Sequence, residues 1–442
     1  MKTGASGASG ASGASGASGA RAKRVLLLAT TTGYQTRMFA ASAERRGIEL
    51  VYATDRCDQL EDPWSDRAIP VRFHEEWRSV DGVLKALKQR PVDGVLAVGD
   101  RPTVMAAQLA RLLNLPGHPP EAAVAARDKR LARAKFKATG LPVPNSFAVP
   151  MGVDPLSILP RVEFPAVLKP TVLSGSRGVI RADDDLSFAS AFDRLRRLLA
   201  TPEVKELRDP EADVIQIEQY IPGAEFALEG LLERGTLRTI AIFDKPDPLE
   251  GPFFEETIYV TPSQVNAGIQ AQITSAVTRA AQALGLHHGP VHAECRVNSK
   301  GVYVLEVAAR PIGGLCAKAL RFERGGERIG FEDLLLLHAA GESTHGWRRE
   351  HLSSAVMMIP IPRSGTFRRV DGVEAAGAVP YIDEVQITAK SDQQLHALPE
   401  GASYLGFIFG RAATPRDAEG SVREAHARLR FTIDPLIPVS AA

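Results

Sequence analysis

Around residue 300 two glutamates are spaced so that a hairpin would set them face to face. The segment PVHAECRVNSKGVYVLEVAARP (290–311) has two apolar, β-branched runs on either side of the turn residues NSKG, the pattern of an antiparallel hairpin. A three-residue loop at 299–301 puts Glu294 opposite Glu306 and His292 opposite Ala308, whereas a two-residue loop shifts the register by one and spoils that pairing. Facing carboxylates repel unless a cation lies between them or one takes up a proton. An oxygen-rich pair that leaves positions open for water and phosphate oxygens is what Mg2+ accepts. Because side chains alternate on a strand, Glu306, Ala308 and Arg310 share one face, and Pro311, Gly313 and Gly314 stop the strand just beyond. The plainer alternatives are carboxylates turned to solvent or paired with Arg296 and Arg310.

Two further stretches suit phosphate and nucleoside chemistry. In SGSRG (174–178) the small residues Ser174, Gly175, Ser176 and Gly178 let backbone N–H groups approach phosphate oxygens, and Lys169 just before them would neutralise charge. The loop lacks the GxxxxGK[ST] pattern and joins two strands, so an ordinary turn is the alternative. In EQYIPGAEF (218–226) the acids Glu218 and Glu225 bracket Gln219 and Ile221, a spacing able to hold an adenine edge and a ribose; a Pro-Gly turn between strands has the same composition.

These groups need a scaffold. RVLLLAT (24–30), IELVYAT (48–54) and VDGVLAVGD (92–100) read as strands alternating with helical stretches, which predicts a parallel α/β domain over 22–120. Its turn TTTGYQ has one glycine and no GxGxxG, so the domain is read as a scaffold forming one wall of a site. Helical spacing over 127–139 ends at Gly140, with Asp128 in the first turn. Strand, loop and strand follow over 164–182, then a helix over 185–200 capped from ADDD, and antiparallel strands over 214–243. Helices over 268–285 and 331–341 flank the hairpin, and 353–433 reads as short strands with a last helix at about 415–429. The whole is α/β and α+β: 22–120, then 121–350 with a small lid at about 160–222, then 351–442.

Composition narrows the partners. Among 442 residues, 53 basic side chains meet 52 acidic ones for a net charge of +1, which argues against a nucleic-acid or membrane surface. No apolar stretch approaches the ~20 residues of a membrane span. Cys57, Cys295 and Cys316 are far apart, which fits a reducing, cytoplasmic setting without zinc or disulfides. The Gly-Ala-Ser tract within residues 1–21 reads as flexible coil outside the fold.

Taken in order, DK (128–129), LKP (168–170), SGSRG, EQYI, AEF (224–226), AEC (293–295) and LEVAARP (305–311) resemble the ATP-grasp superfamily over about residues 22–435. The resemblance implies an ATP-grasp fold behind a Rossmann-like N-terminal domain, with ATP and Mg2+ (or Mn2+) as cofactors. It implies a ligase that phosphorylates a small-molecule carboxylate and lets an amine attack the acyl phosphate. Lys129 and Lys169 would then contact ATP phosphates under the SGSRG loop; Glu218, Gln219 and Ile221 would meet adenine, and Glu225 ribose. Glu294 and Glu306 would ligate Mg2+, Arg310 would hold the acyl phosphate and oxyanion, and Gly313 and Gly314 would let backbone approach the substrate. Many members carry Asn where Ala308 stands; the L-amino acid ligases are more similar there, and in PEGASYLGFIFGR (399–411) and FDKPDPLEGPFFEETIYVTPS (243–263). In that last segment Glu256 matches the group's glutamate, while Tyr259 stands where a histidine is expected; both, with His292, are substrate-side candidates. The rival readings are a carboxylase-like or nucleotide-pathway enzyme and a non-catalytic ATP-binding module. A homodimer is the family-based expectation.

Overall fold

The computed structural model describes residues 21–30, 35–55 and 68–435. The Gly-Ala-Ser tract, Cys57 and most of the TTTGYQ turn lie outside the described residues.

The N-terminal sheet is parallel, in the order Ala68–Pro70, Glu49–Thr54, Arg24–Ala29, Gly94–Val98. Arg24–Ala29 is buried throughout because both faces of the sheet are covered. Val25, Leu27 and Ala29 enter one core and Leu26 and Leu28 another, which is why this strand reads as a continuous apolar run instead of alternating.

The stretch 127–139 is not one uninterrupted element. A helix Pro120–Arg127 stops at Asp128, and a second begins at Lys129 and runs to Ala138. Asp128 is extended (φ −89°, ψ 109°) and its side chain accepts from the N–H groups of Arg130 (2.8 Å) and Leu131 (3.2 Å). It therefore caps the helix from outside the first turn, satisfying donors that have no partner within the helix.

A four-stranded antiparallel sheet, ordered Ser146–Pro150, Val214–Gln219, Ala166–Pro170, Ile180–Ala182, packs against the helix Asp185–Leu199. This unit starts at Ser146, ahead of the position 160 expected for the lid. Asp184 caps its helix, accepting from the Ser187 N–H at 2.8 Å.

The largest sheet has eight strands: Gly301–Ala308, Gly289–Asn298, Ala224–Glu233, Thr236–Lys245, Ile258–Thr261, Ser353–Ile359, Gly406–Ala412 and Ile382–Ile387. All neighbours are antiparallel. It runs unbroken from the hairpin into the C-terminal region. The helices Ala267–Leu284 and Pro415–Ala427 each build a core on it. Among the described residues no helix is long and apolar enough to cross a membrane.

Candidate active site

The hairpin pairs Glu294 with Glu306 and His292 with Ala308 by a route the loop alone does not give. Asn298 pairs with Gly301, so the turn has two residues, the length that shifts the register. A bulge then leaves Leu305 without a partner, since Cys295 pairs with Val304 and Glu294 with Glu306. The extra residue restores the facing carboxylates, as a bulge does when it re-aims a side chain beside a site.

Among the described residues the Glu306 carboxylate makes no ion pair or hydrogen bond, and the charge felt nearby is that of Arg310. Two facing carboxylates, one without a cation, suit a divalent ion with oxygen ligands. A different carboxylate cluster, Glu225, Glu256 and Glu294, has oxygens within 4.8 Å of one another. Its cation is already present: Lys245 Nζ lies 2.8 Å from Glu225, 2.6 Å from Glu256 and 3.2 Å from Glu294. Burial opposes the Lys245 charge, yet the three carboxylates hold its pKa well above the usual value. Burial and the Glu294 charge push Glu256 up to about 7. Tyr259 donates to Glu256 Oε2 at 2.9 Å, and its ring lies 5.0 Å from the Lys245 ammonium.

His292 links this cluster to the strand end. Nδ1 faces the fully buried Glu229 carboxylate in a short contact, and Nε2 lies 3.4 Å from Glu294 Oε1. Burial would depress the imidazole, but Glu229 outweighs it and lifts the pKa to about 9. The other Glu229 oxygen accepts from the Ile312 N–H at 3.1 Å, while Gln35 donates to the Ile312 carbonyl at 2.8 Å. The RPIGG segment is therefore fixed from both sides. A Cβ on Gly314 (φ +60°) would lie 3.3 Å from Phe407, whereas Gly313 has open space.

Arg310 forms a two-pronged ion pair with Asp100, just past the Gly94–Val98 strand. The N-terminal domain thus supplies a group to the site and not only a wall. Lys129 Nζ donates to the Leu173 carbonyl at 3.2 Å, directly before the SGSRG loop. Burial drops Lys169 to about 8, with its partner Glu218 partly offsetting this. Burial would raise Glu218, but Arg133 and Lys169 hold it down at about 2. Glu225 likewise has both oxygens engaged, by Lys245 and Arg296. Gln219 is half-buried at the strand end and Ile221 is buried beside it.

The SGSRG loop is pinned by the C-terminal region. Gly178 N–H donates to the Pro399 carbonyl at 2.8 Å, and Arg177 Nε to the Glu400 carbonyl at 2.7 Å. Gly178 needs to be glycine: its φ is +75°, and a Cβ would meet Leu195 at 2.9 Å and Pro170 at 3.1 Å. Lys129 and Lys169 thus lie beside the loop, with Lys129 held on the Leu173 carbonyl and Lys169 paired with the buried Glu218.

Sequence reasoning passed over Asp100, Glu229 and Lys245. Each had a signal: Asp100 at the carboxyl end of a parallel strand, Glu229 alone inside the apolar run FALEGLL, and Lys245 at a strand end before a proline.

Comparison with known proteins agrees with this layout. The family model for the ATP-grasp N-terminal domain matches residues 40–117, that for the ATP-grasp domain matches 162–319, and that for L-amino acid ligase C-terminal domain 2 matches 357–434. The crystal structure of an L-amino acid ligase from Bacillus licheniformis superposes with a TM-score of 0.78 at 27% identity, covering 94% of this chain and 100% of that one. Alanine–anticapsin ligase of Bacillus subtilis is 26% identical over 247 residues, 53% of this chain and 52% of that protein, so the match spans about half its length. Phosphoribosylglycinamide synthetase from Anaerococcus prevotii shares the fold (TM-score 0.65, 16% identity, covering 93% of this chain and 100% of that one). With three domain models matching in order along one chain, the protein belongs to the ATP-grasp superfamily of ligases and ends in the C-terminal domain of the L-amino acid ligases.

Proposed function

We propose that the protein is an ATP-dependent carboxylate–amine ligase that forms an amide or peptide bond through an acyl phosphate, with an amino acid among its substrates, releasing ADP and phosphate. The observation that carries this reading is the facing pair Glu294 and Glu306 with Arg310 at the end of the same strand. A carboxylate is a poor electrophile because its leaving group would be oxide; bound MgATP supplies a phosphoryl group that makes that oxygen a leaving group.

The chain's own residues do the rest. Glu294 and Glu306 would hold the metal, and Lys129 and Lys169 would neutralise phosphate charge under the Ser174–Gly178 loop. With its Nε and Nη2 held by Asp100, Arg310 would turn its remaining Nη hydrogens to the acyl phosphate and to the oxyanion formed when the amine attacks. Gln219 and Ile221, with Glu218 behind them, would meet adenine, and Glu225 would meet ribose. Glu256, Tyr259 and His292, with the backbone at Gly313 and Gly314, form the substrate side. A cytoplasmic setting and a homodimer complete the proposal; Cys295 and Cys316 are buried free thiols, and light scattering of the purified chain tests the dimer.

The test is phosphate release from ATP and Mg2+ across pairwise amino-acid mixtures, with mass spectrometry of positive mixtures. Phosphate with a condensed product is expected. Phosphate without an amide assigns another nucleophile, and silence despite ATP binding rules out amino-acid pairs as substrates.

A further inference from the structure

The strands Thr236–Lys245 and Ile258–Thr261 pair at a single position, Asp244 with Val260. Toward Thr239 the first strand bulges, its register shifting between Thr239 and Ala241. The two strands therefore part, and a groove of ≈ 490 Å³ lies between them and the helix Ala267–Leu284. Its floor is apolar (Ile240, Ile242, Pro262), its helix wall carries the hydroxyls of Thr274 and Ser275, and Arg349 stands in its lining.

Arg349 is the informative residue. It is half-buried, one Nη donates to the Leu352 carbonyl at 2.7 Å, and no carboxylate of the described residues pairs with it. The neighbouring Glu350 is taken by Arg411. Taking a guanidinium partly out of water without an anion is costly, so this charge is left for something that enters the groove. The volume is that of a small-molecule site. A single planar fork beside an apolar floor matches one carboxylate on an apolar body, whereas a phosphate would call for several N–H donors.

We infer that this groove is a second small-molecule site, separate from the reaction centre, which binds an apolar carboxylic acid with its carboxylate on Arg349. The inference is independent of the ligase reading.

Saturation-transfer NMR on the full-length protein tests it, using 4-methylpentanoate as probe and 4-methylpentanamide as its neutral counterpart. The acid should bind about tenfold more tightly than the amide, the scale of one charge-assisted hydrogen-bonded pair. Arg349→Gln should bring the acid down to the amide's level. Ser275→Leu, an exposed substitution that fills the groove without touching the charge, should remove binding of both. Arg310→Ala should leave binding of the acid intact. The inference is overturned if the acid shows no transfer, or if acid and amide bind alike. It is equally overturned if Arg310→Ala abolishes the signal while Arg349→Gln keeps it, or if inorganic phosphate displaces the acid at equal concentration.

Discussion

Arg310 and Asp100 join the end of the hairpin to the tip of the N-terminal sheet, Nε to Oδ1 at 2.7 Å and Nη2 to Oδ2 at 3.2 Å. Burial opposes both charges, but each outweighs it for the other: the Asp100 carboxyl is held below its usual range and the Arg310 guanidinium above its own. The pair ties two domains through one cation at the site. Arg310→Ala should abolish turnover while leaving ATP affinity nearly intact, read by phosphate release beside equilibrium ATP binding. Unchanged turnover would remove Arg310 from the mechanism. Asp100→Asn should lower kcat with little change in KM for ATP, and should destabilise the protein by about 3–5 kcal/mol because it strands a buried cation.

Glu306→Gln keeps the shape of the hairpin and removes one of the two facing charges. Mg2+-dependent ATP binding should weaken at least about tenfold, measured by titrating Mg2+ at fixed ATP. A normal titration would count against a ligand role.

The Glu218 carboxyl predicts an acid dependence of stability. Its folded pKa, about 2, lies below the ordinary 4.5. The stabilisation is therefore fully present above pH 4.5 and is lost as pH falls from 4.5 through 2. The shift corresponds to about 3 kcal/mol. Denaturant midpoints from pH 6 to 2 should fall less steeply for Glu218→Gln than for the parent, from a lower starting stability since Lys169 and Arg133 lose their partner. Parallel slopes would refute the assignment.

Gly178→Ala forces a side chain into left-handed backbone and against Leu195 and Pro170. It should cost about 1–2 kcal/mol and raise KM for ATP, since the loop would no longer seat on Pro399. A melting temperature and KM both equal to the parent's would show that the loop tolerates the strain.

How far the sequence could be read depended on the range of the interaction. The hairpin and its facing glutamates follow from alternation and turn residues, which are local. The compensating two-residue turn and Leu305 bulge do not, because a bulge has no composition signature that separates it from a longer loop. Asp100 meets Arg310 only after the N-terminal domain docks, so nothing near either residue announces the pair. Lys245 was legible as a strand end, but its three carboxylates come from three other stretches of the chain. Asp128 was placed on the right helix and one position too far in, the usual uncertainty of helix ends.

The eight-stranded sheet also has a history written into its order. Ile258–Thr261, the strand that carries Tyr259, shares one paired position with the strand made before it and four with Ser353–Ile359, made long afterwards. On the ribosome this strand is a bare edge until Ile359 has emerged, with only its brevity and the following Pro262 to blunt it. Completion of this part of the sheet therefore waits on the C-terminal region. The edge on which Tyr259 sits is closed by Ser353–Ile359, which follows it much later in the chain.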